Sequence, residues 1–180
     1  MSAALLDAFR DLLLERGYAR LTIRDLIARA HVARSTFYEY FDDKTDILRL
    51  SIKPLFSVLA GCVNQAACSK QLPFVLEHFW SNRRVGRQML TGPTRDIVVR
   101  ILADEIESIL RQRQAARAAT LGTLVPVRMA AAQIAGAQWA LIGAWVSEKS
   151  ACSAQTLATA LHETSNSLSR TLMADERSGI

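Results

Sequence analysis

Seven side chains between Thr22 and Lys44 could do chemistry together: Thr22, Arg34, Ser35, Thr36, Tyr38, Tyr40 and Lys44. All are donors, and none is a nucleophile set beside a base. The forked guanidinium of Arg34 can read guanine O6 and N7, and the hydroxyls of Ser35 and Thr36 can reach phosphates or either base type. Tyr38 and Tyr40 offer phenolic donors that hold a phosphate while the ring packs. Asp43 is placed to cap a helix with Asp46 as its third residue, and Lys44 then stands in that helix's first turn. A cation and the positive end of a helix dipole together favour a phosphate. The chemistry is recognition of a polyanion.

The elements that must position these groups follow from local pattern. Thr22 reads as an N-cap, with Asp25 completing a capping box. Leu26, Ile27 and Ala30 make a short apolar face, so Ile23 to Ala30 is a helix of about two turns. His31-Val32-Ala33 is too short to be a loop of its own, and Arg34 to Tyr40 restarts as a helix with Phe37 and Phe41 on one side. Two short helices joined by a three-residue turn are a helix-turn-helix, whose second helix enters the major groove of DNA. Upstream, Leu5, Ala8, Phe9, Leu12 and Leu13 give an amphipathic helix that covers the pair, with Asp7, Asp11 and Arg16 facing water and Gly17 ending it.

The segment RSTFYEYFDDKTDIL resembles the signature of the TetR family of bacterial transcriptional regulators, and TIRDLIARAHV resembles that family's second helix. The likeness covers roughly Leu5 to Leu50, including Gly17-Tyr18 after the first helix. Two residues depart from it. His31 stands where the family usually has Gly, and must tolerate a left-handed conformation. Ala33 stands where a Ser or Thr usually caps the recognition helix, so about 1 kcal/mol of capping is missing. The resemblance implies a three-helix head and a helical body in a cytoplasmic homodimer. Such a dimer binds successive major grooves of a near-palindromic DNA operator, most often as a repressor that a small molecule releases. It also implies that Thr22, Tyr38 and Lys44 hold phosphates, while Arg34, Ser35, Thr36 and Tyr40 lie near base edges.

Composition agrees with helices. Half of the 180 residues are hydrophobic, and glycine and proline are few. The expected architecture is all-α with about nine helices: a DNA-binding head over residues 1–46 and a regulatory and dimerisation body over 47–180. The net charge of +5 suits a polyanion, yet Met1 to Leu50 holds eight Lys/Arg and eight Asp/Glu. The excess lies further on, in Arg83, Arg84, Arg87, Arg95, Arg100, Arg111, Arg113 and Arg117. Placement of particular residues, not net charge, argues for DNA. The cluster Arg83, Arg84, Arg87 could serve an anionic effector, and a solvated face is the commoner explanation.

Cys62, Cys68 and Cys152 lack zinc-like spacing and are expected as reduced thiols, with neither a disulfide framework nor a metal site. No signal peptide precedes the first helix, and no apolar run is expected to approach the roughly 20 residues of a membrane span. Met129 to Val146 is the most hydrophobic stretch, interrupted by Gln133 and Gln138, and reads as a buried helix.

In the body, a helix runs from Asp43 towards Pro54, which should kink it before a segment Leu55 to Ala67. That bend is either a lever between head and body or a fixed feature. Leu72 to Trp80 and Arg83 to Leu90 read as short helices, with Ser81-Asn82 as a cap between them. Thr91-Gly92-Pro93 reads as a break before a long helix, Thr94 to Ala118. Leu121 to Pro126 connects to two final helices, about Val127 to Lys149 and Ala154 to Met173. A small-molecule site would draw on Phe56, Leu59, Cys62, Phe74, His78 and Trp80, and on Met89, Leu90, Ile101, Gln138 and Trp139; the alternative is that they form the core. A dimer surface would use the small-residue ladder Ala132, Gly136, Ala140, Gly143 with the stripe Leu157, Leu161, Leu168, Leu172, forming a four-helix bundle across a two-fold axis. Those faces could instead pack within one chain.

An enzyme would need convergent groups. His31, His78 and His162 lie in different segments, and there is no HExxH, Gly-rich phosphate loop or nucleophile elbow, so no catalysis, cofactor or metal is expected. A second alternative is a TetR-like protein acting mainly through a protein partner, with DNA binding secondary or lost; the neutral head and Ala33 motivate it.

Overall fold

The computed structural model describes residues 2–64, 69–90, 92–116, 123–147 and 152–173. Cys68, Thr91, Arg117, Leu121 and residues 148–151, which include the end of the expected helix Val127 to Lys149, lie outside them. Nine α-helices and no strand occur among the described residues: α1 (Ser2–Arg16), α2 (Ile23–Ala30), α3 (Arg34–Tyr40), α4 (Lys44–Ala60), α5 (Leu72–Ser81), α6 (Arg83–Met89), α7 (Gly92–Ala116), α8 (Val127–Ser147) and α9 (Ala154–Leu172). Short 3-10 turns follow α1 at Tyr18–Arg20 and α4 at Gly61–Val63.

The head forms because α1, α2, α3 and the start of α4 share one apolar centre. Leu5, Phe9 and Leu12 of α1, Leu26 of α2, Phe37 of α3 and Ile47 and Leu48 of α4 are all fully buried. The α4 helix carries this core onward. Its Phe56 and Leu59 enter the body, where they meet Leu76, Ile101, Ile106, Ile134 and Trp139 in one continuous hydrophobic cluster. The centre of the body is aromatic: the Phe56 and Phe79 rings stand edge-on to Trp139 at 5.8 and 6.0 Å. Helices α7 and α8 pack along each other, and α9 closes the body against α5, α8 and the turn after α4.

Several boundaries differ from the sequence pattern for identifiable reasons. Pro54 does not divide α4, which runs unbroken to Ala60 and then tightens into the 3-10 turn. Gly92-Pro93 is not a loop but the start of α7: Gly92 takes φ 63° at the entry, and a proline in the first turn gives up an amide that has no helical partner there. Ser81 belongs to α5, and the Asn82 amide turns back to the His78 carbonyl at 3.0 Å instead of capping α6. By length and composition α8 is long and apolar enough to cross a membrane, contrary to expectation. Half of its most apolar stretch is buried inside the body.

Candidate nucleic-acid interface

The head builds its outer face from the caps inward. Thr22 Oγ1 accepts from the Asp25 amide at 3.2 Å, and Asp25 Oδ2 accepts from the Thr22 amide at 3.0 Å, so the capping box is complete. The Thr22 hydroxyl also donates to Asp25 Oδ2 at 2.6 Å, and Arg16 Nη1 reaches Asp25 Oδ1 at 3.2 Å. These bonds, the Thr22 hydroxyl first, hold the Asp25 carboxyl below its usual range. Helix α2 ends on His31 at φ 53°, ψ 42°, the left-handed conformation that its position demanded. Ala33 then starts α3 without a side-chain cap.

Helix α3 is anchored by one residue and offers the rest. Phe37 is fully buried, while Arg34, Ser35, Tyr38, Glu39 and Tyr40 are exposed and Thr36 is half-buried. Arg34 Nη2 donates to the Tyr38 hydroxyl at 3.3 Å, and its guanidinium carbon lies 5.6 Å from the Tyr38 ring centroid. The two side chains form one connected donor pair on the exposed face of α3. Glu39, which the sequence reading passed over, is an acid on the same helix; a carboxylate repels phosphates and accepts from cytosine N4. Arg24 in the first turn of α2 was also passed over. It is exposed and makes no ion pair among the described residues.

The start of α4 is fixed from three sides. Asp43 accepts from the Thr45 and Asp46 amides, and Asp46 in turn accepts from the Asp42 amide at 2.9 Å. Lys44 is less available than its sequence position suggested. Its ammonium donates to the Tyr18 and Leu21 carbonyls at 3.3 and 3.2 Å and sits 4.5 Å from the Tyr18 ring centroid. It locks the loop after α1 to α4 and keeps a third N–H for any further acceptor. Thr22, with its hydroxyl bound to Asp25, is committed in the same way.

The formal neutrality of the head hides an uneven layout. Glu15 pairs with Arg29 through both carboxylate oxygens, at 2.9 and 2.8 Å, and Asp11 approaches the same guanidinium at 3.8 Å. The Arg29 hydrogen bond holds Glu15 below the usual carboxylate range. Asp11, Glu15 and Asp25 are thus paired between α1 and α2, while Asp7 pairs with Arg10 within α1.

The other expected sites are scattered. Phe56, Leu59, Ile101 and Trp139 are at most 2% exposed and belong to the core, as do Cys62 and Met89 at its edges. Phe74 points outward at 71% exposure. Trp80 stacks on Trp145 at 4.9 Å beneath Arg83, and Leu90 packs on α8. Gln138 spends its amide on the Leu59 carbonyl and Ser165 Oγ, at 3.1 and 2.9 Å. His78 and Met89 border a cleft that lies between head and body. Among the described residues no three His, Cys, Asp or Glu side chains converge as metal ligands would.

The α8–α9 pair divides too. Leu157, Leu161 and Leu172 are buried within the chain, and Leu168 is half-buried, so the α9 stripe is an internal seam and not an outer one. Gly143 faces Leu90, whose Cδ2 would stand 2.9 Å from a Cβ there. Ala132 and Ala140 remain exposed, and Gly136 has open space above it, with Met129 60% exposed beside them.

Residues 5–50 match the family model of bacterial regulatory proteins, tetR family. No curated protein matches the sequence. Among solved structures, a TetR transcriptional regulator from Streptococcus agalactiae superposes with a TM-score of 0.55 at 21% identity, over 91% of this chain and 92% of its own. A TetR-family regulator from Syntrophomonas wolfei gives 0.57 at 22% identity, over 93% of each chain. The fatty acid degradation regulator FadR from Bacillus halodurans gives 0.53 at 16% identity, over 92% of this chain and 98% of its own. At these identities the likeness establishes a common fold.

Proposed function

We propose that this protein, which carries the tetR-family head at residues 5–50 and a TetR-like fold across the chain, is a ligand-responsive transcriptional repressor that binds a palindromic operator as a homodimer. The observation that carries the reading is the exposed donor surface of α3, with Arg34 bonded to Tyr38 beside Ser35 and Tyr40, on a helix fixed by buried Phe37. In this reading Tyr38 and the third N–H of Lys44 hold phosphates and set the register, helped by Arg24 and the first turn of α2 behind Thr22. Arg34, Ser35, Thr36 and Tyr40 lie towards base edges, and Glu39 selects against misplaced phosphates.

Two heads must reach successive major grooves, with half-site centres roughly 34–36 Å apart or a multiple of this. The α8 row of Met129, Ala132, Gly136 and Ala140 is the surface suited to a second copy, because small residues let helix backbones approach closely. The body would then transmit effector binding to the spacing of the heads, within the limit set by the effector's difference in affinity for the two arrangements.

The deciding experiment selects bound duplexes from a random DNA pool, with the Arg34→Ala, Tyr38→Phe double variant alongside. A palindromic motif recovered by the wild type and lost by the folded variant is the expected outcome, with affinity falling steeply as salt rises through counterion release. No enriched motif at low salt, from a folded dimer, would overturn it and direct the search to protein partners.

A further inference from the structure

The junction of head and body encloses a cleft of about 400 Å³, in the size range of small-molecule sites. Four helices wall it: α1 with Leu14, α4 with Pro54 and Leu55, α5 with Phe79 and α6 with Val85. Most of the lining is apolar, and it includes no acid. Its cation is Arg10, on the head side, whose nearest carboxylate is exposed Asp7 at 3.4 Å. An exposed pair of that length holds the guanidinium weakly.

We infer that this cleft is a regulatory site for an amphipathic anion, a compact apolar molecule bearing one carboxylate- or sulfonate-like group. The apolar body would lie between Leu14, Leu55 and Phe79, and the anionic group would pair with Arg10. At the centre of the body, Phe56, Leu59 and Trp139 are buried in the core. The cleft is also placed where occupancy matters. One wall belongs to the head and three to the connecting helix and body, so a molecule touching all four binds one head–body arrangement better than another. Pro54 lacks the amide that would bond the Leu50 carbonyl, which leaves α4 less braced along the cleft. Outside the cleft, the Gln88 side chain of α6 lies against Gly17 at the end of α1, so α6 and α1 are in contact. Coupling between the cleft and α3 is reciprocal: the anion lowers operator affinity by the same factor as the operator lowers anion affinity.

The regulatory half of this inference rests on the repressor reading, and the test separates the two. Two fluorescent probes of similar shape are titrated into the full chain: 8-anilinonaphthalene-1-sulfonate, an anion, and N-phenyl-1-naphthylamine, which lacks the sulfonate. Wild type should bind both, the anion more tightly. Arg10→Gln should weaken the anion about three- to fivefold, as loss of a partly exposed ion pair would, and leave the neutral probe unchanged. Leu55→Trp, which fills the cleft, should abolish both; Ser51→Trp does the same from another position and replaces it if Leu55→Trp melts early. Probe binding unaltered in a folded filling variant would overturn the site, and equal weakening of both probes by Arg10→Gln would overturn its preference for anions. With the selected operator present, the sulfonate should release wild type and not the filling variant; release of both, or of neither, overturns the regulatory role. Failure to recover any operator sinks the repressor reading, while the probe titrations still decide whether the cleft binds anions.

Discussion

At the entry to α2, Thr22, Asp25 and Arg16 satisfy one another within ten residues of chain. At the centre of the body, Gln138 finds its acceptors 79 and 27 residues away, in Leu59 and Ser165. The contrast extends to what is left over. Buried side-chain atoms without a hydrogen-bond partner among the described residues are Gln138 Oε1, Trp139 Nε1 and Asn166 Oδ1, all in the body. The head caps α2 and α4 with local motifs at Thr22 and Asp43 and adds the longer-range bonds of Lys44 and Arg29. The body relies on apolar contact between distant segments and tolerates polar atoms that the packing does not serve. Under the proposed function the head needs the first kind of order, because a displacement of α3 would misplace every donor. A part that responds to other molecules can be built by the second.

The largest test of that contrast removes the aromatic centre. Trp139→Ala takes away the ring that Phe56 and Phe79 stand against and should cost about 3–5 kcal/mol, read by thermal or urea unfolding. If the whole chain melts together, head and body are one cooperative unit; a head that survives to a second transition would sharpen the division between them.

Gly17→Ala probes the joint. Gly17 holds φ 75°, and a methyl group there would collide with the Gln88 side chain. The loss should exceed about 1 kcal/mol. Adding Gln88→Ala should recover the collision and leave the backbone strain. Full recovery would show that contact with α6, not the turn, sets the need for glycine.

Thr22→Ala tests the local order of the head, at about 1 kcal/mol for a lost cap. It carries a pH signature. Because Thr22 lowers the Asp25 pKa, the carboxylate contributes stability that is present above its unfolded pKa and is lost as pH falls through the folded one. Wild type should therefore lose stability on acidification through the carboxylate range more steeply than Thr22→Ala. Parallel pH profiles would mean that the capping box does not hold Asp25. The smallest effect is a gain: Ala33→Ser supplies the cap that α3 lacks and should add under about 1 kcal/mol, seen as a small rise in melting temperature.

The head was legible because its signals are short in range. Thr22 three residues before Asp25, a positive-φ position at His31, an uncapped Ala33 and a buried Phe37 each follow from residues within one or two turns of helix. The donor surface of α3 was legible for the same reason. The carbonyl partners of Lys44, Tyr18 and Leu21, were not legible, because they come from the loop after α1, more than twenty residues back. Glu39 and Arg24 were missed because an exposed charge on a short helix has no periodicity to mark it.

The helical class and the capping box that opens the helix-turn-helix belong to the sequence alone, since hydrophobic period and capping are written in neighbouring residues. Which apolar faces meet was settled only by the tertiary structure. The leucines of α9 have the same spacing whether they cover a partner or their own body, and packing put Leu157, Leu161 and Leu172 inside. Of the aromatic residues expected around a small-molecule site, Phe56 and Trp139 are buried in the core and Phe74 points outward. A cleft lies at the junction of head and body, where four helices from distant parts of the chain leave a gap. No single stretch of sequence carries that information, because a cavity is a property of the space between elements and not of any one of them.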